Sequence, residues 1–258
     1  MTTSILEKCK TAVERIGERL PAKGVYAIEA ALNYLILGKW MCLQGFRPAA
    51  WFTDRDDAFE LAATQIADRS VLYLEFGVWK GDSMRRWSKL LTNPASALHG
   101  FDSFEGLPDD WSFAYPKGAF SVAGKIPDID DSRVQFFKGW FEDTLPDYQL
   151  PKHDVMFVNC DADLYSSTKT ILTYIGPHLR PGDYLYFDEF HHGADERRAF
   201  SEFVKSSECQ FSLAACSQSK SQVLFILVSR PANDSVDLVS RSPQPAASAM
   251  SDRWHNGS

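Results

Sequence analysis

Residues 71–83 read VLYLEFGVWKGDS. Val71 to Phe76 is a short run that is almost wholly apolar; Gly77 and Gly81 follow it, and Asp82 and Ser83 open a helical segment. A buried strand, a glycine turn and a helix N-terminus in that order predict the first unit of a doubly wound α/β sheet. The turn then lies at the carboxyl end of the strand, where such sheets bind their ligands.

The glycine spacing separates two ligand classes. A dinucleotide site uses G-x-G-x-x-G, in which the middle glycine lets the backbone approach a pyrophosphate. Here Val78 and Trp79 follow the first glycine, and the pattern is G-x-x-x-G. This disfavours an NAD oxidoreductase and points to a nucleoside ligand without pyrophosphate, such as S-adenosylmethionine. Glu75, at the strand end, suits a ligand carrying an ammonium and a sulfonium.

The 258 residues are enough for one α/β domain with a substantial core. A net charge of −7 argues against a nucleic-acid backbone as the main partner. The five cysteines are scattered without a C-x-x-C pair, so neither a disulfide framework nor a zinc site is expected, and a reducing cytoplasm is the simple location. The first twenty residues are charged throughout and carry no secretory pattern. Val25 to Leu43 is the most apolar segment, but Glu29, Asn33 and Lys39 interrupt it. It reads as a core or interface helix rather than a membrane span, and as a route to a homo-oligomer.

The chain divides into a helical N-terminal extension (1–50), a catalytic domain (51–230) and a tail (231–258) whose Ser, Pro, Ala and Asp content predicts disorder. Thr53 and Asp54 can cap a helix over Arg55 to Ala67. Further strands are expected at Ala97–Phe101, Val134–Lys138, Val155–Cys160 and Tyr184–Phe187, with a closing antiparallel pair at Phe211–Ala215 and Val223–Val228. The long connection from Ser103 to Arg133 interleaves Trp111, Phe113, Tyr115 and Phe120 with glycines and prolines, which favours an ordered lid.

Gly77, Asp102, Gly139, Asp161 and Asp188 each follow one of five successive strands. One acid after a strand is unremarkable; suitable groups after all five favour an enzyme. Asp102 stands some 25 residues beyond Gly77, well placed for ribose hydroxyls. Asp161 or Asp163 could instead cap the helix that follows them.

The segments EFGVWKGDS, GFDSFEGLPDDW, FFKGWFEDTLP, DADLYSSTKTIL and PGDYLYFDEF occur in an order that resembles the macrocin O-methyltransferase family, over about Trp51 to Val228. These are class I S-adenosylmethionine-dependent enzymes that methylate sugar hydroxyls on antibiotics. The resemblance implies a doubly wound, mostly parallel seven-stranded sheet with the last strand antiparallel. It places the methionine part of the cofactor at Glu75, Gly77, Gly81 and Ser83, the ribose at Asp102, and the adenine near Gly139, Trp140 and Phe141, with Asp161 also at the cofactor. It assigns a metal, magnesium for an all-oxygen set, to Asp161, Asp188 and Glu189, and the general base to Asp163. The acidic pair is often Asp-Asp in the family and is Asp188-Glu189 here. The implied function is O-methylation of a hydroxylated small molecule, a sugar first. A catechol-type methyltransferase and a non-catalytic cofactor-binding module on the same fold are the alternatives. His191 and His192 read as a surface loop, with extra metal ligation or substrate contact as the sharper options.

Overall fold

The computed structural model describes residues 4–111 and 115–231. Two helices lead the chain, α1 (Ile5–Arg19) and α2 (Ala22–Gln44). There follow β1 (Ala50–Phe52), α3 (Arg55–Ile66), β2 (Val71–Phe76), α4 (Asp82–Leu90), β3 (Ala97–Asp102) and β4 (Val134–Lys138). The second half holds α5 (Phe141–Thr144), β5 (Val155–Cys160), α6 (Tyr165–Ile175), a short 3-10 turn (Gly176–His178), β6 (Tyr184–Phe187), α7 (Glu196–Ser207), β7 (Gln210–Ser217) and β8 (Val223–Ser229). Of the interleaved lid aromatics, Phe113 lies outside the described residues, as does all of the expected tail beyond residue 231.

The strands form one sheet in the order β1-β7-β8-β6-β5-β2-β3-β4. It has eight strands rather than seven, because Ala50–Phe52 adds a short parallel edge beside β7. That strand straddles the expected boundary between residues 50 and 51. The last strand, β8, is antiparallel to both β6 and β7, as expected. All residues of β2, β5 and β6 are buried, which is why these segments read as continuous apolar runs and not as alternating ones.

The pleat of β2 divides the core in two. Leu72, Leu74 and Phe76 face a cluster with Ile171, Leu172 and Phe200. Val71 and Tyr73 face the other, with Phe59 and Trp87. Helix α2 fully buries only Leu37 and Met41, with Trp40 packed against the core beside them, and α1 buries no residue. No helix among the described residues is long and apolar enough to cross a membrane.

The strand order reverses between β2 and β5, the two central parallel neighbours. Such a switch point leaves a crevice beyond the carboxyl ends of the strands, where ligands bind in this class of fold.

Candidate active site

At the switch point the chain after β2 and the chain after β5 nearly touch. The amide of Asp161 donates to the Phe76 carbonyl at 2.9 Å. Gly77 has φ +91°, and a Cβ there would stand 1.8 Å from the Asp161 carbonyl oxygen. Only glycine fits both the left-handed backbone and the close approach. Gly81, with φ +79°, caps α4, whose first turn places Ser83 in a buried position on the cavity wall.

The crevice is a cavity of about 580 Å³. Every residue predicted for the cofactor except Gly81 lines it: Glu75, Gly77, Ser83, Asp102, Gly139, Trp140, Phe141 and Asp161. Gly81 sits at the turn below, against Pro127. Asp163, Asp188 and Glu189 line the same cavity. Trp111, Tyr115 and Phe120 close it from the long connection, with Tyr115 stacked between the other two at 5.3 and 5.2 Å. The connection is therefore an ordered wall of the cavity where it is described.

Glu75 is buried and accepts from the Tyr73 hydroxyl at 3.1 Å, while Asn159 donates to that hydroxyl at 3.1 Å. Burial pushes its carboxyl up to about 8, against the hydrogen bond from Tyr73 and the charge of Arg55. A cationic group arriving beside it would return it to the ionised form. Asp102 does structural work as well. One of its oxygens accepts from the amides of Val78 and Trp79, both at 2.8 Å, and the other from Phe104 at 2.6 Å. A carboxylate has about four acceptor positions, so capacity remains for a ribose hydroxyl.

Asp163 holds a left-handed backbone with φ +58°. Such a conformation is uncommon outside glycine, although Asp tolerates it better than most. Burial first, then the charges of Asp188 and Asp195, pushes its carboxyl up to about 7. Helix α6 takes Leu164 as its N-cap with no side-chain cap, so neither Asp161 nor Asp163 serves that purpose.

The three acids expected to share a metal are engaged separately. Arg55, from the first turn of α3, donates to Asp161 at 2.6 Å. Burial first, then Asp188, raises the Asp161 carboxyl, and Arg55 opposes both. Asp188 accepts from the Tyr186 hydroxyl at 2.7 Å and from Gln222 at 2.8 Å. Glu189 faces His191 at 3.2 Å, and burial followed by Asp188 and Asp163 pushes it up to about 7. Among the described residues, the group of metal-binding side chains whose ligand atoms lie within 4.8 Å of one another is Glu189, His191 and His192, not the expected trio. Arg55 takes one oxygen of Asp161, and the ligand atoms of the trio do not all lie within 4.8 Å of one another.

Among the described residues, Arg55 is the one Lys or Arg on the cavity wall. Sequence reading placed it only at a helix start. No local signal could have found its role, since Asp161 is 106 residues away.

Residues 119–218 match the family described as Macrocin-O-methyltransferase (TylF). Over that stretch the chain is similar to the macrocin O-methyltransferases. Mycinamicin III 3''-O-methyltransferase of Micromonospora griseorubida is 30% identical over 135 residues, covering 50% of this chain and 47% of that one. A 29% identical stretch of 137 residues matches a tetracenomycin-derivative 4'-O-methyltransferase of Streptomyces olivaceus, covering 45% of this chain and 52% of that one. The chain thus spans about half the length of the curated relatives it matches. Among solved structures, the O-methyltransferase NovP shares the fold with a TM-score of 0.55 at 23% identity, over 68% of this chain and 80% of its own. A calicheamicin methyltransferase does so with a TM-score of 0.52 at 20% identity, over 88% and 94%. The macrocin O-methyltransferase match begins at residue 119 and so includes Gly139 to Phe141, Asp161, Asp163, Asp188 and Glu189, but not the Gly77 turn. The turn is tied to it by the Gly77–Asp161 approach.

Proposed function

We propose that this chain is an S-adenosylmethionine-dependent O-methyltransferase that methylates a hydroxyl of a sugar-bearing small molecule. The observation that carries the reading is one cavity holding a buried Glu75 at the switch point together with Asp163, a carboxyl raised to about 7. The printed activities of the relatives, 3''- and 4'-O-methylation of glycosylated products, support the substrate class.

In this reading the Glu75 end of the cavity takes the ammonium of the methionine moiety, Asp102 takes the ribose, and Gly139 to Phe141 flank the adenine. The substrate hydroxyl then lies beside Asp163. Its oxygen forms a bond to the methyl carbon as the carbon–sulfur bond breaks, and the bonding pair remains on sulfur as a neutral thioether. The hydroxyl proton passes to Asp163. A base whose carboxyl titrates near 7 is well matched to that task. The rings of Trp111, Tyr115 and Phe120 line the cavity on the side of the long connection.

Helices α1 and α2 leave Ile5, Leu6, Val13, Ile16, Leu35 and Leu43 exposed. Contact with a second copy is our reading of this surface, and light scattering of the purified chain tests it.

Calorimetry with S-adenosylmethionine, S-adenosylhomocysteine and NADH tests the cofactor. The adenosyl ligands should bind and NADH should not. Labelled methyl transfer to a panel of deoxysugar glycosides and catechols then tests the substrate. Transfer to catechols alone would replace the sugar reading with the catechol one.

A further inference from the structure

We propose that Glu189, His191 and His192 form a binding site for a first-row divalent transition metal, distinct from the all-oxygen set expected at Asp161, Asp188 and Glu189. The three side chains follow β6 on one short loop and present ligand atoms within 4.8 Å of one another. Glu189 is common to both sets; the two imidazoles are not.

The Glu189–His191 separation fits a shared cation. His191 Nδ1 lies 3.2 Å from the Glu189 carboxylate, yet it is buried without a hydrogen-bond partner. Two ligands each about 2.0–2.2 Å from one ion, at octahedral to tetrahedral angles, stand about 2.8–3.6 Å apart. The observed gap falls within that range.

Both rings are held in place from outside. His191 stacks on Tyr34 of α2 at 5.1 Å with a 9° interplanar angle. His192 packs against Trp111 at 5.1 Å, and its Nδ1 lies 3.8 Å from Asp195. Asp195 in turn accepts from the Trp111 indole at 3.2 Å. A carboxylate behind a ligating imidazole fixes ring orientation and raises its basicity, a common outer-shell arrangement. One element of the lid, Trp111, therefore touches both the histidine and the acid that orients it.

Two imidazoles and one carboxylate favour zinc, cobalt, nickel or copper over magnesium, which prefers oxygen. Three protein ligands leave coordination positions for water or an incoming hydroxyl. The site lines the same cavity as Asp163, so a hydroxyl placed there would face both.

The test uses the full chain stripped by chelation, with metal salts alone as probes. Calorimetry should show one Co2+ per chain bound more tightly than Mg2+. Paramagnetic resonance of the Cu2+ form should show coupling to two imidazole nitrogens. His191→Ala and His192→Ala should each weaken Co2+ by at least the roughly 10- to 100-fold that loss of an outer-shell partner costs. Asp161→Asn should leave Co2+ affinity near wild type. Absence of stoichiometric Co2+ binding, or affinity lost in Asp161→Asn and kept in both histidine variants, would overturn the proposal. The Cu2+ spectrum needs no variant, so a histidine variant that fails to fold does not block the answer: two nitrogens support the site and none refutes it. None of these readouts requires cofactor or methyl transfer, so failure here leaves the methyltransferase reading to stand or fall on its own assay.

Discussion

Arg55 and Asp161 meet at 2.6 Å across the mouth of the sheet, joining the start of α3 to the end of β5. Asp161 sits among other acids, with Asp188, Asp163 and Glu75 all bearing on it, and Arg55 is the charge that offsets them. Both side chains remain partly exposed, at 34% and 24%, so the pair is solvent-screened and worth about 1 kcal/mol. Its larger effect is on what else can bind.

Arg55→Gln should release Asp161 and make the carboxylate cluster responsive to magnesium. In wild type, millimolar Mg2+ should leave the melting temperature nearly unchanged. In the variant it should raise it, since an ion bound only by the folded form stabilises that form. Thermal scans of both proteins with Mg2+ and with chelator decide this. An equal Mg2+ response in the two would show that the guanidinium does not hold the site closed.

Asp163→Asn should lower turnover by about 10² to 10⁴ while leaving S-adenosylhomocysteine affinity near wild type. The wild-type rate should rise with pH through the neighbourhood of 7, because the carboxyl is pushed up to about 7 and accepts a proton only once ionised. Single-turnover methyl transfer across pH 6 to 8 measures both. A wild-type rate in Asp163→Asn would remove it as the base.

Gly77→Ala should be far more costly than Gly118→Ala, although both glycines have positive φ, +91° and +81°. A Cβ at Gly77 would collide with the Asp161 carbonyl, whereas at Gly118 nothing lies within 4 Å. Backbone strain alone accounts for about 1 kcal/mol at Gly118; at Gly77 the collision should bring the total above about 3 kcal/mol. Denaturant unfolding of the two variants makes the comparison, and equal losses would mean that the strand ends move apart freely.

His99 should make the protein acid-sensitive. It lies in β3 with its Nδ1 2.7 Å from the Tyr148 hydroxyl, and burial lowers its pKa to about 4. An unfolded histidine titrates near 6.5, so between pH 6.5 and 4 the unfolded chain binds the extra proton. The contribution is fully present above pH 6.5 and is lost as pH falls toward 4. At pH 5 the loss amounts to roughly 2 kcal/mol. Urea unfolding at pH 7 and pH 5 should show a fall in wild type that is smaller in His99→Gln.

The central strands were legible residue by residue. Val155–Cys160 and Tyr184–Phe187 were read with their observed bounds, because a strand buried on both faces shows as an apolar run that ends at turn residues; the edge strand Val134–Lys138, none of whose residues is fully buried, was also read with its observed bounds. The carboxyl-end positions of Gly77, Asp102, Gly139, Asp161 and Asp188 followed from those bounds, and with them the rim of the cavity. The edge strand Ala50–Phe52 was not legible; three residues carry no period, and the strand exists only because β7 offers it a free edge. Arg55 likewise had no local signal, since a helix-start arginine is ordinary and its partner is brought to it by the sheet. The same holds for the acids. Sequence order placed Asp161, Asp188 and Glu189 at strand ends, but only tertiary packing decided that Asp161 would face a guanidinium and Glu189 two imidazoles. Local periodicity determines which residues reach the sheet edge, and side-chain directions there depend on contacts between segments far apart in the chain.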